Sequence, residues 1–277
     1  MIIFKKTSSL IDFRNQQKNI SIGFVPTMGA LHNGHLELIK QSKKENDFTY
    51  VSIFVNPLQF NNPEDLEKYP RPIEKDVQLL ESIDADALFL PDFEQVYNSG
   101  ILPDEINLTY LNSILEGPKR PGHFEGVVKV VSILFKIIRP HNAYFGLKDF
   151  QQVKVIQQLV KEKKYPIQII EVPTVREPDG LAMSSRNLRL SETARKIAPK
   201  IYQWLQKAKQ LYHNGMPIPD IEKHIISEIE KEKSFVLDYF EIRDAENLME
   251  IQSSHQKPIA LIAVYLEGIR LIDNLEL

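Results

Sequence analysis

A short apolar run at residues 20–25 (ISIGFV) limits the fold most, because it leads without a break into the segment 26–35 (PTMGALHNGH). A second β-prone run at 48–55 (FTYVSIFV) follows after about one helix of sequence. Runs this apolar are typical of parallel strands that are covered on both faces, and parallel strands need a crossover connection. The sequence therefore predicts a β-α-β unit in which residues 26–35 form the turn from strand into helix.

Two histidines, His32 and His35, flank Gly34 in this turn. Ligands of α/β sheets bind at the carboxyl ends of the strands, and a helix N-terminus attracts phosphate. Imidazoles can donate to a phosphoryl oxygen whose charge is growing, and glycine lets that oxygen approach the backbone closely. An ordinary βα turn with two surface histidines has the same pattern, so the phosphate-site hypothesis depends on the rest of the chain.

Strands and helices continue to alternate up to a turn signal at residues 176–180. In this first part the predicted helices are at 72–82, from 127 to 138 and from near Asp149, and the predicted strands are at 87–91, 143–146 and 167–172. We therefore expect an α/β domain with a doubly wound parallel sheet over residues 1–178.

The remaining residues, 179–277, predict a smaller α+β domain. Its expected elements are helices at 191–213, with a kink or restart at Pro199, and at 219–233, followed by strands near 235–242, 259–266 and 269–272. The last two strands are joined at Glu267-Gly268, which is a hairpin signal.

Composition argues against several classes of function. A net charge of −3 provides no basic field for nucleic acid or for an anionic membrane surface. The absence of cysteine removes disulfides, thiolate metal sites and a cysteine nucleophile, and it is compatible with a reducing cytosol. The longest apolar tract, 127–138, falls short of a membrane span, and the N-terminus lacks a signal-peptide core. We expect a cytoplasmic protein that binds small molecules.

Two further polar turns could contact phosphate. Gly146 to Asp149 join a strand to a helix, and Lys148 supplies positive charge there, although an ordinary loop with an N-cap aspartate has the same composition. Met183 to Arg186 lie in the boundary loop, where two hydroxyls and a guanidinium can close over a triphosphate. A plain polar linker is the alternative for this loop.

Gln59 and Gln152 each follow a predicted strand end. A neutral amide there can hold a carboxylate without the strong charge pairing that would weaken the carboxylate as a nucleophile. Both can equally be surface residues. The stretch 120–127 (RPGHFEGV) is a Pro-Gly turn leading into the helix at 127, and the sequence assigns it no chemistry. Asp76 is a possible Mg²⁺ contact.

Taken as an ordered set, these motifs resemble those of the pantothenate synthetases, or pantoate–β-alanine ligases. The matching segments span nearly the whole chain: 26–35, 52–60 (SIFVNPLQF), 69–71 (YPR), 120–127, 146–152 (GLKDFQQ), 183–187 (MSSRN) and 270–274 (RLIDN). The resemblance implies a Rossmann-like nucleotidyl-transfer domain with a small C-terminal domain that closes over ATP, a cytoplasmic homodimer, and the use of Mg²⁺.

The resemblance also implies roles for individual residues. His35 would be the catalytic proton donor, and Gln59 and Gln152 would bind pantoate and β-alanine. The residues implied in ATP binding are Met28, Gly29, Ala30, Leu31, His32, Asn33, Gly34, His35, Gly146, Leu147, Lys148, Asp149, Val175, Met183, Ser184, Ser185 and Arg186. At Glu74-Lys75-Asp76 the family often has two adjacent acids, so Lys75 leaves the Mg²⁺ ligands unassigned.

The reaction implied is the condensation of (R)-pantoate with β-alanine through pantoyl adenylate, which releases pyrophosphate and AMP. An adenylyltransferase or synthetase-like enzyme with another acceptor would share the histidine turn, and Gln59 and Gln152 argue against it. A silent nucleotide-binding regulator on the same fold is a further alternative. Such a regulator has no need of His35, Lys148 and Arg186 together.

Overall fold

A computed structural model describes every residue from 1 to 277. The chain divides into two compact units, of which the first comprises Met1–Leu147 and Gln151–Pro173. The second comprises Lys148–Phe150 and Thr174–Leu277. Apart from the short segment Lys148–Phe150, the second unit starts at Thr174, and the domain boundary after residue 178 stays a prediction.

The first unit is built on a parallel sheet with the strand order β1-β4-β3-β2-β5-β6. Its strands are β1 (Ile2–Phe4), β2 (Ile22–Thr27), β3 (Phe48–Ile53), β4 (Ala87–Phe89), β5 (Asn142–Gly146) and β6 (Gln168–Val172). This architecture confirms the predicted α/β class with a doubly wound sheet.

Helices connect these strands. They are α1 (Thr7–Gln16), α2 (Asn33–Glu45), α3 (Pro63–Glu67), α4 (Ile73–Ser82), α5 (Phe93–Tyr97), α6 (Glu116–Lys119), α7 (His123–Ile138) and α8 (Phe150–Lys163). None of the helices in the chain combines the length and the apolar character that a membrane crossing needs.

The sheet has a topological switch point between β2 and β5. From β2 the chain continues through α2 to β3 on one side, whereas β5 pairs with β2 on its other side. Open α/β sheets bind ligands in the crevice outside the carboxyl ends of such strands. The histidine turn follows β2 and the Gly146 turn follows β5, so this topology makes the two turns neighbours.

Apolar side chains cover the sheet on both faces. On one face, Val25 and Val51 of the central strands pack in a cluster with Ile39 of α2 and Leu80 of α4, all fully buried. On the other face, Phe24 meets Phe135 of α7 edge to face, with ring centroids 6.3 Å apart. Strands that are buried on both faces explain the near-continuous apolar runs of the sequence.

The second unit packs helices on an antiparallel sheet, which confirms the small α+β domain. Its elements are α9 (Glu192–Ile197), α10 (Lys200–His213), α11 (Ile218–Lys231), β7 (Phe235–Asp244), β8 (Pro258–Leu266) and β9 (Ile269–Glu276), with the sheet order β7-β8-β9. Pro199 restarts the helix between α9 and α10, as predicted. Ile221, Ile225 and Ile229 of α11, each four residues after the last, are fully buried in this core.

The sequence misplaced or missed several elements. The helix predicted from residue 127 begins instead at His123, so Gly122 is its N-cap and the last part of the 120–127 stretch is helical. Gly122 takes a left-handed conformation there, with φ of +81°. Strand β1 and helices α1, α3 and α5 are short or weakly amphipathic, and no clear period marks them.

Candidate active site

The histidine turn joins β2, which ends at Thr27, to α2, which has His32 as its N-cap. Nδ1 of His32 accepts the backbone N–H of Gly34 at 3.1 Å, and Nδ1 of His35 accepts the backbone N–H of His32 at 3.3 Å. The two imidazoles thus form a capping box, a reciprocal arrangement that usually uses Ser or Thr with Glu. The side chains expected to do chemistry also stabilise the start of α2.

These capping bonds determine the tautomer of both histidines. A backbone N–H can only donate, so Nδ1 of each neutral imidazole is unprotonated and the proton is on Nε2. The ring centroids of His32 and His35 are 4.1 Å apart. Both rings therefore carry an Nε2–H donor at one place on the sheet edge, and such a donor suits a phosphoryl oxygen.

Asp76 of α4 holds the backbone of the turn. Its carboxylate is fully buried and accepts the N–H groups of Ala30 and Leu31, both at 2.8 Å. Ala30 has a φ of +49°, a strained value for a residue with a side chain, and Gly29 before it has a φ of +79°. Burial raises the pKa of Asp76, and the two N–H donors oppose that rise. We infer that Asp76 stabilises the strained backbone of the turn.

Most backbone N–H groups of the turn donate within the first unit. Those of Gly29, Ala30, Leu31, His32 and Gly34 meet Thr27, Asp76, His35 or His32. The sequence predicts that phosphate binds at this helix N-terminus, where such N–H groups are normally unpaired. In the structure, the imidazoles of His32 and His35 are better placed than the backbone to meet it.

The structure offers no built protein site for Mg²⁺. Both oxygens of Asp76 already accept hydrogen bonds and neither is exposed, so this carboxylate does not fit as a metal ligand. Nowhere in the chain do three or more His, Cys, Asp or Glu side chains gather closely enough to hold a metal ion.

Gln59 reaches the histidine turn from the neighbouring strand. It ends the 3₁₀ turn Pro57–Gln59 after β3 and is buried, with 7% of its surface exposed. Its Nε2 donates to Sδ of Met28 at 2.9 Å, and its Oε1 accepts from Nδ2 of Asn56 at 3.2 Å. Gln59 and the histidine turn therefore lie at the same edge of the sheet, because they follow the neighbouring strands β3 and β2.

Two adjacent glutamines near the start of α8 have different surroundings. Gln151 is buried: its Oε1 accepts the N–H of Glu116 at 2.9 Å, and its Nε2 donates to the carbonyls of Leu111 and Ile114. The Gln151 amide therefore holds a loop, a role that the sequence did not predict. Gln152 is partly exposed. Of the pair, Gln152 is the one whose position suits a ligand contact.

In the second unit, residues 175–183 fold back as a short hairpin. The N–H of Met183 donates to the carbonyl of Val175 at 3.0 Å, and Arg176 and Ala182 form an antiparallel bridge. Ser184 then caps a 3₁₀ helix, Ser185–Arg189, because its Oγ accepts the N–H of Arg186 at 3.2 Å. One of the two hydroxyls predicted to meet phosphate thus also shapes the loop.

A cleft in the second unit brings predicted site residues together. Lys148, Ser184 and Arg186 line it, together with Arg270 and Asp273 of β9. The cleft is small, with a volume of about 10 Å³, so it does not itself enclose a polyphosphate, but Lys148, Arg186 and Arg270 place three cationic side chains around it. Lys148 Nζ lies 3.8 Å from the Asp149 carboxylate, and Arg270 donates through Nε to Asp238 at 2.9 Å.

A buried ion pair, Arg176 with Asp273, connects the hairpin to β9 behind this cleft. The two guanidinium nitrogens donate to the two Asp273 oxygens at 2.6 and 3.0 Å, and the guanidinium stacks 3.8 Å above the ring of Tyr202. Burial raises the pKa of Asp273, and Arg176 opposes the rise. Asn274 next to it donates from Nδ2 to the carbonyl of Lys148 at 3.0 Å.

No role for this pair was predicted from the sequence. Arg176 looked like part of a turn signal, and Asp273 and Asn274 appeared only within the matching segment 270–274. The contact joins residues far apart in the chain, so no local spacing could have indicated it.

Comparisons with known proteins identify the family of the chain. A family model described as pantoate-beta-alanine ligase matches residues 2–276. The pantothenate synthetase of Cytophaga hutchinsonii is 50% identical over 264 residues, which are 94% of this chain and 93% of that protein. The pantothenate synthetase of a Sulfurihydrogenibium species is 45% identical and covers 96% of this chain and 95% of its own length.

Solved structures show the same similarity. The crystal structure of pantothenate synthetase from Thermus thermophilus superposes with a TM-score of 0.93 at 38% identity, covering 100% of this chain and 99% of that one. Pantoate-beta-alanine ligase from Francisella tularensis, complexed with beta-gamma ATP and beta-alanine, gives a TM-score of 0.83 at 41% identity, with coverage of 100% and 97%. Because the family model and these relatives match nearly the whole chain, the chain belongs to the pantoate–beta-alanine ligase family.

Proposed function

We propose that the reaction of this ligase takes place at the carboxyl edge of β2, in two steps. The chain joins pantoate to β-alanine at the expense of ATP. A pantoate carboxylate oxygen attacks the α-phosphorus, the bond to pyrophosphate breaks, and pantoyl adenylate forms. The β-alanine nitrogen then attacks the activated carbonyl, AMP leaves with the bonding electrons, and the amine proton is released.

We assign ATP binding to the segments Met28 to His35, Gly146 to Asp149 and Met183 to Arg186, together with Val175. Lys148 and Arg186 would neutralise phosphate charge that grows as pyrophosphate departs. No protein nucleophile is needed, because the substrate carboxylate attacks directly.

His35 is the proposed proton donor. Support for this role comes from its capping bond, which keeps the proton on Nε2, and from its place at the switch point of the sheet. His32 carries the same tautomer for the same reason. Two such donors stabilise charge on the transferred phosphoryl group mainly by position.

Gln59 and Gln152 are the proposed pantoate ligands, with β-alanine following into the same pocket. They flank the histidine turn in the sheet, one after β3 and one after β5, and these two strands lie on either side of β2. Neutral amides orient a carboxylate and leave its charge available for attack.

We propose that Mg²⁺ enters as the counterion of the ATP phosphates. Mg²⁺ in such enzymes keeps several waters and takes substrate phosphate oxygens as ligands. The occupied oxygens of Asp76 support this source over a protein-built site.

Further proposals concern the whole protein. We propose that the C-terminal part, which the sequence places at residues 179–277, acts as a lid that keeps water from the acyl adenylate. We also propose a cytoplasmic homodimer. Sedimentation equilibrium at micromolar concentration checks the dimer, because the chain mass is 32.0 kDa and the dimer should show twice that value.

The observation that carries the assignment of the reaction to this edge is the contact of Gln59 with Met28 of the histidine turn. The test is isotope exchange between pyrophosphate and ATP, run with pantoate alone and then with unrelated acids. We expect exchange only with pantoate, and without any need for β-alanine. Exchange at the same rate with and without pantoate would overturn the proposed first step.

A further inference from the structure

The stretch 120–127 received no role in the reaction, yet its last residues contact the turn that carries Gln59. Helix α7 begins at His123, and its first turn packs on the 3₁₀ turn Pro57–Gln59. We propose that His123 and Gly126 of α7, with Tyr97 acting through Asn56, are positioning residues that fix the place and the polarity of the Gln59 amide. This inference rests on the proposed role of Gln59 as a pantoate ligand.

The main chain of Gln59 is held by His123. Nδ1 of this buried imidazole lies 2.8 Å from the carbonyl oxygen of Gln59. A carbonyl oxygen can only accept, so Nδ1 of His123 carries a proton. This tautomer is opposite to that of the two histidines in the histidine turn.

Gly126 sets how closely α7 approaches. A Cβ added to Gly126 would lie 2.3 Å from the carbonyl oxygen of Leu58 and 2.7 Å from Cα of Gln59. Real side chains do not reach such distances, so any larger residue at 126 would push the Gln59 turn away from the helix. The helix and the turn are therefore in direct backbone contact.

The side-chain amide of Asn56 determines which way round the side-chain amide of Gln59 lies. The N–H of Leu58 can only donate and lies 3.2 Å from Oδ1 of Asn56, and the carbonyl of Gly126 can only accept and lies 3.0 Å from Nδ2. These two backbone groups leave one orientation for the Asn56 amide. Tyr97 reinforces that orientation, because its hydroxyl donates to the same Oδ1 at 2.8 Å.

The orientation of the Gln59 amide, oxygen on one side and NH₂ on the other, follows from the orientation of the Asn56 amide. Nδ2 of Asn56 donates to Oε1 of Gln59, so the Gln59 oxygen faces inward and its NH₂ group faces Met28. A donor directed to the histidine turn suits an acidic substrate with hydroxyl groups, and it would reject a group that itself donates. Burial raises the pKa of Tyr97 above its ordinary value, so its hydroxyl is protonated at neutral pH and remains a donor there.

The test compares Tyr97→Phe with a matched control. Phenylalanine keeps the ring contacts of residue 97 with Phe54 and Phe93 and removes only the hydroxyl. The control, Tyr165→Phe, removes another partly buried hydroxyl, one that donates to Asp104 outside the Gln59 turn. We expect Tyr97→Phe to raise KM for pantoate about tenfold and to leave KM for ATP unchanged, which is the effect of losing one hydrogen bond. The control should leave both unchanged.

A second pair of variants tests the main-chain contact. His123→Asn keeps a donor near the position of Nδ1, whereas His123→Leu removes it. We expect Asn to retain a KM for pantoate close to that of the wild type, and Leu to raise it severalfold without affecting KM for ATP. A residue that only supports the fold would change both constants together, or neither.

Gln59→Ala separates this inference from the proposed function. If Gln59→Ala raises KM for pantoate while Tyr97→Phe and His123→Leu do not, the positioning role is wrong and the role of Gln59 stands. If Gln59→Ala leaves KM for pantoate unchanged, both assignments are overturned. Failure of the wild type to exchange pyrophosphate in the presence of pantoate would contradict only the proposed reaction.

Discussion

Single residues in this chain combine structural and chemical roles, and His35 is the clearest case. Its Nδ1 caps α2 and its Nε2–H is the proposed proton donor. Two substitutions separate these roles, because the side-chain oxygen of Asn can replace Nδ1 as an acceptor whereas Ala cannot.

We expect His35→Asn and His35→Ala both to lower turnover by a factor of about 10² or more, since both lack the imidazole Nε2–H and neither replacement side chain can give up a proton in its place. Only His35→Ala should also lose about 1 kcal/mol of unfolding free energy, the usual value of a lost cap. Pyrophosphate release and urea unfolding measure the two effects. Unchanged turnover in either variant would remove His35 from the chemistry.

Asp76 offers a second test at this scale, because a metal ligand and a backbone anchor predict different results. Asp76→Asn replaces one acceptor by an NH₂ group that faces a backbone N–H, so we expect a loss of about 2 kcal/mol of unfolding free energy. The Mg²⁺ concentration for half-maximal activity at saturating ATP should stay the same. A marked rise in that concentration would show that Asp76 binds the metal after all.

Residues of this kind also mark how far the sequence could predict the site. The histidine turn and Gln59 follow apolar strands, so the sheet topology alone brings them to one edge. Asp76 and Gln151 act on backbone groups more than thirty positions away in the chain. No periodicity or spacing encodes such contacts, and a polar residue on a helix is predicted to face solvent by default.

At the scale of elements, β9 and the hairpin 175–183 are joined by the pair of Arg176 and Asp273. The pair is buried, with 17% of the arginine side chain and 2% of the aspartate side chain exposed. Removing one partner of such a pair leaves the other charge buried without compensation, whereas removing both partners leaves no such charge. The pair therefore lends itself to a double-mutant cycle.

We expect Arg176→Met alone to lower the unfolding free energy by about 3 kcal/mol, because Asp273 keeps an uncompensated charge. Asp273→Asn added to that variant should restore a large part of the loss. Urea unfolding of the wild type, both single variants and the double variant gives the coupling energy. Additive effects of the two single substitutions would mean that the interaction between Arg176 and Asp273 contributes nothing to the unfolding free energy.

The contact of α11 with β7 should give stability a dependence on pH. Glu222 of α11 accepts the N–H of Ile242 at 2.7 Å, and burial, together with the charges of Glu241 and Glu250, raises its pKa. A raised pKa in the folded state means that Glu222 stabilises the fold below the unfolded value of about 4.3, and that this stability is lost as the pH rises through the folded value.

Glu222→Gln keeps the acceptor and removes the charge. We expect the variant to be more stable than the wild type at pH 7, and the difference to disappear as the pH falls to about 4. Urea midpoints measured across this range check the prediction. A difference that grows towards acid pH would show that the carboxylate is favoured in the folded state.

Elements also differed in how well the sequence predicted them. Apart from β1, the strands of both sheets and the long helices have strong apolar patterns and were predicted closely, as α11 at Ile218–Lys231 illustrates. The start of α7 was predicted four residues late, because a Pro-Gly pair and a histidine read as a turn. Gly122 with positive φ ends that turn and permits the helix to begin at once.

At the scale of the whole molecule, each unit has its own apolar core, and the sequence supplies a reporter for only one of them. The single tryptophan, Trp204, lies in the core of the second unit against Phe235, with ring centroids 5.0 Å apart. Tryptophan fluorescence therefore follows the second unit, whereas far-ultraviolet circular dichroism follows both.

Two core substitutions exploit this asymmetry. Ile225→Ala opens a cavity in the second unit and Ile39→Ala a comparable one in the first, both at fully buried positions. Each should cost about 2–5 kcal/mol, the range for truncating a buried Ile to Ala. Because domains generally unfold as units, we expect Ile225→Ala to shift the fluorescence transition in urea ahead of the circular dichroism transition. Ile39→Ala should leave the fluorescence transition near its wild-type midpoint. Coincident shifts of both probes in both variants would show instead that the two cores unfold in one cooperative step.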